Sequence, residues 1–274
     1  MICCPICNSE RKRLVCHRVD HLYMCKNCKI IYNTEFSLLD YDDRYFIDQY
    51  RDQYGRTYQE DFENIYSLAI RRLETILDMS EDRADVVHLS LLDLGSALGF
   101  FLKAAKDSGI GSLVGIEISN FAAEYCDSEY NIDVINQSFE DTEIKGRFNI
   151  ITAWYFIEHF EHPLAIIKRV YDQLSHKGIF AFSVPSYFGP QYFFNRFKWC
   201  SDHPIDHRVS FSPSSVRRLL EEIGFTKIVI QPCGIHPERI LAANSLFYKP
   251  LRVVYPLISR IIRFSDTMDV FAIK

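Results

Sequence analysis

The sequence predicts an α/β protein in which a small N-terminal zinc ribbon precedes a doubly wound, Rossmann-like sheet. Three observations carry that expectation. Six of the nine cysteines lie in the first 28 residues, strand and helix patterns alternate from 88 to 184, and a turn rich in Gly and Ala follows the first of those strands. The size fits: 274 residues, 48% of them hydrophobic and 24% charged, suffice for one large domain plus a small module. Lys and Arg number 31 against 36 Asp and Glu, a net charge of −5 that lacks the basic footprint of a nucleic-acid-binding protein. The opening Met-Ile-Cys-Cys-Pro shows no secretory pattern, so a cytoplasmic address is expected. The uncharged run 178–195 contains Pro185, Gly189 and Pro190 and reads as a strand plus an aromatic loop, not a membrane span.

Cys4-Pro-Ile-Cys7 and Cys25-Lys-Asn-Cys28 are two C-x2-C knuckles separated by 17 residues, the spacing of a four-thiolate zinc site. Cys4, Cys7, Cys25 and Cys28 are therefore the expected ligands of a structural Zn2+, and a closed set of four sulfurs has no position left for substrate. Cys3, Cys16, His17 and His21 stay outside this set. Paired disulfides are the alternative, which the absence of an export signal disfavours. The expected organisation is a ribbon over 1–36, a Tyr-rich helical lid over 37–84, and the main domain over 85–274 with an insertion at about 235–265.

In the lid, Tyr41, Tyr45, Tyr50, Tyr54, Tyr58 and Tyr66 fall at spacings that suggest helical turns with an aromatic face. Ile65, Leu68, Ala69, Leu73, Ile76 and Leu77 then mark an amphipathic helix ending near Ser80. These tyrosines either pack as a lid or close over a ligand. Beyond residue 85 the period changes. Strands are expected over 88–94, 113–117, 132–135, 148–153 and 177–184, and helices over 98–108, 121–130 and 163–174. That alternation means βαβ units and a parallel sheet, whose ligands bind beyond the carboxyl ends of the strands.

The turn after the first strand reads Asp93-Leu-Gly95-Ser96-Ala97-Leu-Gly99. Small residues at alternate positions let backbone approach a ligand, and Glu117, 22 residues beyond Gly95, ends the second strand where a carboxylate accepts from ribose hydroxyls. A nucleoside-containing cofactor is implied. The dinucleotide pattern would need Gly where this chain has Ala97 and Phe100, and no G-x-x-x-x-G-K-[ST] motif exists to cradle a triphosphate.

These residues resemble a family. Leu91-Leu-Asp93-Leu-Gly95-Ser-Ala97-Leu-Gly99 looks like the first motif of the class I S-adenosylmethionine-dependent methyltransferases, and Val114-Gly-Ile-Glu117-Ile118-Ser looks like the second. Gln137-Ser138-Phe139-Glu-Asp141 falls at the adenine-binding segment. Phe148 through Pro163, with Trp154, Tyr155, Glu158 and His159, is similar to the fourth-strand motif. Leu174 through Pro185 and Phe211 through Phe225 continue the likeness, which spans about 88–231. The resemblance implies a mostly parallel sheet with an antiparallel last strand, and S-adenosyl-L-methionine as cofactor. It places Gly95, Ser96, Ala97 and Gly99 at the methionyl part, Glu117 at the ribose and Phe139 at the adenine, with Asp93, Ile118 and Ser138 also among the cofactor-binding residues. Trp154 or Tyr155, with Tyr45 or Tyr50, would face the sulfonium through cation–π attraction. Ala97 replaces the motif's middle glycine, and Trp154-Tyr155 stands where many members have a small or acidic residue.

For a hydroxyl acceptor, His159, His203 and His207 are the candidate general bases. His159 follows the fourth strand; the other two lie in Asp202-His203-Pro-Ile-Asp206-His207, after the fifth. That spacing also suits a metal, but no further carboxylate or His motif completes such a site in the sequence. The segment 240–264 is apolar and basic, through Lys249, Arg252, Arg260 and Arg263. It either touches an anionic membrane surface or forms an insertion or homodimer contact, and Pro250 and Pro256 are expected to break any continuous helix. The expected activity is methyl transfer to a small-molecule acceptor, a hydroxyl of a sugar or related metabolite, with a lipid-linked glycan also conceivable. Transfer to carbon or nitrogen, or a non-catalytic cofactor-fold binding protein, are the alternatives.

Overall fold

The computed structural model describes residues 2–38, 45–234, 237, 240–241 and 244–274. Tyr41, and the side chains of Tyr45 and Tyr54, lie outside the described residues. Three strands come first: β1 (Lys12–Cys16), β2 (Val19–Cys25) and β3 (Ile31–Asn33). Helices α1 (Tyr50–Tyr54) and α2 (Phe62–Met79) follow, then β4 (Ser90–Leu94), α3 (Phe100–Asp107), β5 (Ser112–Ile116), α4 (Asn120–Tyr130), β6 (Val134–Ile135) and β7 (Phe148–Trp154). The chain continues through α5 (Pro163–Gln173), β8 (Leu174–Pro185), α6 (Pro190–Phe194), α7 (Arg196–Ser201), β9 (Val209–Ser210) and α8 (Pro213–Ile223). It ends with β10 (Ile228–Cys233), α9 (Tyr248–Ile262) and β11 (Thr267–Ile273).

Seven strands form a mixed sheet in the order β10-β11-β8-β7-β4-β5-β6. β4 pairs parallel with β5 and β7, β5 pairs parallel with β6, and β10 pairs antiparallel with β11. The sequence accounts for these strands: Leu91, Leu92, Ile150, Ile151 and the run Ile179–Val184 are buried, the continuous apolar pattern of a sheet covered on both faces. Two compact units divide the chain. One comprises Leu39–Trp154, Val170–Ala181 and Ile273–Lys274, the other Met1–Leu38, Tyr155–Arg169 and Phe182–Ala272.

In the first unit the helices begin and end on recognisable signals. Ser119 caps α4, its Oγ accepting from the Ala122 N–H, and Asn131 closes it in a left-handed conformation. Tyr58 stacks on Phe100 and Phe62 meets it edge to face, beside Phe46, so these rings pack into a core cluster with Leu98 and Ala122. Tyr50 donates to Asp61 and sets its ring 5.0 Å from Tyr58.

In the second unit β9 joins the three N-terminal strands to give the order β1-β2-β3-β9. Ile31 pairs with Ser210 and Tyr32 with Val209. Two expectations need correction here. The stretch after β8 is not a loop but two short helices, α6 and α7, opened by Pro190 at a first-turn position and by the Asn195 side chain accepting from the Lys198 N–H. Nor do the prolines break the last helix: α9 runs through both. Pro250 sits in the first turn, where the missing N–H has no intrahelical partner to lose. Pro256 deprives only the Arg252 carbonyl, and Arg252 is exposed, so water satisfies it.

Candidate functional site

Three groups of polar residues stand out. The first is the cysteine cluster. After each C-x2-C pair the next residue, Asn8 and Lys29, takes a positive φ, and its N–H donates back to the carbonyl of Cys4 or Cys25. The two turns are thus conformational copies. They bring Cys4 Sγ to 3.5 Å from Cys28 Sγ and Cys7 Sγ to 3.5 Å from Cys25 Sγ, close to the edge of about 3.8 Å expected for four sulfurs around one zinc. All four thiols are free of disulfides. Hydrogen bonding from Cys28 pulls Cys4 down to about 5 while Cys28 is pushed far up; a central cation would relieve that conflict. Cys16, left out of the set, packs instead with Val19, Leu22 and Cys200.

The second group surrounds the turn between β4 and α3. Gly95, Ala97 and Gly99 all have positive φ, at 66°, 48° and 78°. Ala97 is strained there because its Cβ crowds the backbone. At Gly99 a Cβ would lie 2.2 Å from Cys126 Sγ, so α4 closes against this turn only over a glycine. The Glu117 carboxylate closes the other side: one oxygen accepts from the Ala97 N–H at 2.8 Å and the other from the Ser119 N–H at 2.9 Å. Each oxygen keeps a second lone pair. Asn136, which sequence reasoning missed, donates to the carbonyls of Glu117 and Ile118 and so holds this loop. Ile118 is 53% exposed, whereas Phe139 is buried. Ser138 anchors its own turn, its carbonyl accepting from Thr142.

Asp93 is 1% exposed and accepts from Thr152 Oγ1 at 2.6 Å. Burial pushes its carboxyl up to about 7, Thr152 and Arg72 oppose that, and the Glu117 charge adds to it. Trp154 already has a cation on its ring, the Arg72 guanidinium at 4.1 Å, and Phe101 beside it at 5.0 Å. Two buried polar atoms here have no hydrogen-bond partner among the described residues, Ser96 Oγ and Trp154 Nε1. Orphaned donors beside a small-residue turn and a carboxylate with spare lone pairs fit a cofactor that brings its own polar groups.

The third group lies in the second unit, just past the end of β7. Tyr155 takes a positive φ of 54°, a strained state for an aromatic residue, and is 40% exposed. Glu158 and His159 belong to the short turn Ile157–His159. The Arg208 N–H donates to the Glu158 carbonyl at 2.7 Å, and the Asn33 N–H donates to the Arg208 carbonyl at 3.0 Å. β3 thereby holds β9 and the loop before it, which brings Asp206 and His207 to Glu158 and His159. His159 Nδ1 is 3.1 Å from Asp206 Oδ2, and the His159 and His207 rings meet edge to face with centroids 4.8 Å apart. Burial acts to lower His159, but the bond to Asp206 and the Glu158 charge raise it overall. Burial takes His207 down to about 3, so it is neutral at physiological pH.

His203 is differently placed. Its Nε2 lies 3.1 Å from Ser210 Oγ and its Nδ1 3.0 Å from the Pro204 carbonyl, so both ring nitrogens are engaged. Of the three predicted bases it is the least available. The structure also brings together a group that the sequence did not suggest, which shares only His207 with the Asp202-His203-Pro-Ile-Asp206-His207 stretch. Glu158, His159 and His207 have ligand atoms within 4.8 Å of one another. Sequence reasoning missed Glu158 as a member of such a set because no local motif links it to His207. The two residues are far apart in the chain and meet only because β3, β9 and the turn after β7 are pinned together. The one local signal was that Glu158 precedes His159.

The comparisons with known proteins agree with this geometry. A family profile described as a methyltransferase domain matches residues 58–230. No curated protein sequence matches the chain. Among solved structures, an S-adenosylmethionine-dependent methyltransferase from Archaeoglobus fulgidus is similar at 15% identity, with a TM-score of 0.56, over 86% of this chain and 100% of that one. The magnesium protoporphyrin IX methyltransferase from Synechocystis PCC 6803, solved with bound SAH, is similar at 10% identity and a TM-score of 0.54, over 84% of this chain and 96% of that one. At these identities the likeness is one of fold. The profile covers more than half of the chain, which therefore belongs to the methyltransferase-domain family.

Proposed function

We propose that the chain transfers a methyl group from S-adenosylmethionine to a hydroxyl of a small molecule, a sugar or related metabolite. The observation that carries this reading is the Glu158, His159 and His207 cluster, a set of groups suited to promoting the loss of a hydroxyl proton. When bound, the cofactor supplies an electrophilic methyl on a sulfonium. The chain's own residues do the rest. Gly95 through Gly99 and the N-terminus of α3 would receive the methionyl carboxylate, the spare lone pairs of Glu117 would accept from the ribose hydroxyls, and exposed Ile118 would cover the adenine. Holding the reactants in line contributes up to about 7–11 kcal/mol in favourable cases. Cys4, Cys7, Cys25 and Cys28 would hold a structural Zn2+, and its role follows from the pairing of β3 with β9: it stiffens the sheet that carries the His207 loop.

The test is calorimetric titration with S-adenosylmethionine, followed by methyl transfer to a panel of hydroxyl, amine and carbon acceptors. Binding with transfer to hydroxyls is expected. Transfer only to nitrogen or carbon would overturn the hydroxyl reading, and absence of binding in folded protein would overturn the donor assignment.

We also infer that the protein works at an anionic membrane surface. No helix among the described residues is long and apolar enough to cross a membrane. On α9, however, Val253, Val254, Leu257, Ile258, Ile261 and Ile262 are all exposed, at the spacing of one helical face. Lys249, Arg252, Arg260 and Arg263 accompany them, with no acidic residue between 240 and 264. That charge complements anionic headgroups and would oppose a second copy laid antiparallel on the same face. Co-sedimentation with phosphatidylserine vesicles is expected, and its loss when the four basic residues become Gln. Dimerisation without vesicle binding would overturn this.

A further inference from the structure

We propose that Glu158, His159 and His207 form a binding site for a divalent transition-metal cation, separate from the four-cysteine cluster. Two histidines and one carboxylate, with ligand atoms within 4.8 Å of one another, make a three-ligand face that leaves positions open for a substrate oxygen or water. Two independent observations point to a ligand. Glu158 is 0% exposed, and among the described residues neither of its carboxylate oxygens has a hydrogen-bond partner. A buried carboxylate without partners is rare because desolvation is uncompensated, and a cation would compensate it. The second is the orientation of His159. Its Nδ1 is 3.1 Å from the Asp206 carboxylate, which holds the imidazole in place beside Glu158, as a carboxylate does for a metal-binding histidine.

The mixed nitrogen and oxygen set suits Zn2+, Mn2+ or Fe2+ better than Mg2+ or Ca2+, which favour all-oxygen shells. The chemical role rests on the hydroxyl-acceptor reading above. An acceptor hydroxyl bound at the open position would be acidified by the cation. Its proton would pass to water, leaving the acceptor oxygen as the nucleophile of the methyl transfer proposed above.

Mn2+ is the probe, since it binds oxygen and imidazole but competes poorly for thiolates. Full-length protein as purified would be titrated with Mn2+ and free ion read by electron paramagnetic resonance. One saturable Mn2+ per chain is expected, weakened at least about tenfold in Glu158→Gln and His207→Gln. Asp206→Asn, which removes the carboxylate that orients His159, should weaken it by about 10–100-fold. Circular dichroism checks folding, and His207→Ala is a second variant at that position. No saturable Mn2+ in folded wild type, or unchanged affinity in the variants, overturns the site. S-adenosylmethionine binding is measured on the same samples: Mn2+ binding without cofactor binding would sink the methyltransfer reading alone, and the reverse would sink only the cation site.

Discussion

The turn around Gly95 and the cluster around Glu158 treat buried carboxylates in opposite ways. Glu117 gives each oxygen a backbone N–H, from Ala97 across the turn after β4 and from Ser119 two residues on. The Glu158 oxygens have no hydrogen-bond partner from another of the described residues. The first carboxylate is already built into its loop and has only spare lone pairs to offer, so it suits a neutral hydroxyl donor. The second is fully desolvated with its whole valence open, so it suits a cation. Satisfaction by the chain's own backbone thus separates a residue that shapes a pocket from one that awaits a ligand.

The largest expected effect tests the Glu117 side. Glu117→Ala orphans the Ala97 and Ser119 N–H groups and removes the ribose acceptor. S-adenosylmethionine affinity measured by calorimetry should fall about 100-fold, the loss expected from hydrogen bonds to a charged group. An unchanged affinity would break the comparison at its root.

A smaller effect concerns Asp93, the buried carboxylate beneath the same turn. Its folded pKa lies at about 7, above the unfolded value, so the folded state holds the proton more tightly. Stability from this group is complete at pH below the unfolded pKa and is lost as pH rises through about 7. Asp93→Asn keeps an acceptor for Thr152 and has nothing to ionise. Its melting temperature relative to wild type should therefore rise between about pH 5 and about pH 8 by several degrees; a pH-independent difference would show that Asp93 is ionised throughout.

The smallest effect is at Ala97. Its positive φ costs about 1–2 kcal/mol that glycine would not incur, offset by about 0.5–1 kcal/mol of added unfolded-chain entropy. Ala97→Gly should stabilise by about 1 kcal/mol or less in urea unfolding, with cofactor affinity retained. Destabilisation would mean that the Ala97 methyl makes a packing contact worth more than the strain.

Much of the fold is legible in the chain. The strands around β4, β5, β7 and β8 and the helices α3, α4 and α5 lie within a few residues of their expected positions, because hydrophobic period and capping residues such as Ser119 act locally. The departures have physical causes too. Residues 190–201 read as loop because their helices are short and aromatic. The proline rule predicts a break in α9 because it describes the backbone alone and ignores which carbonyl is left facing water.

The sequence by itself determined the cysteine knuckles and the small-residue turn, since each depends on residues close in the chain and on backbone geometry that residue type dictates, and it marked Glu117 by its spacing from Gly95. Only the tertiary structure decided that both ring nitrogens of His203 are engaged, that His207 meets His159, and that the Glu158 carboxylate has no hydrogen-bond partner among the described residues. Those facts depend on what β3 and β9 bring beside the turn after β7, and burial, unlike period or spacing, is a property of the assembled chain.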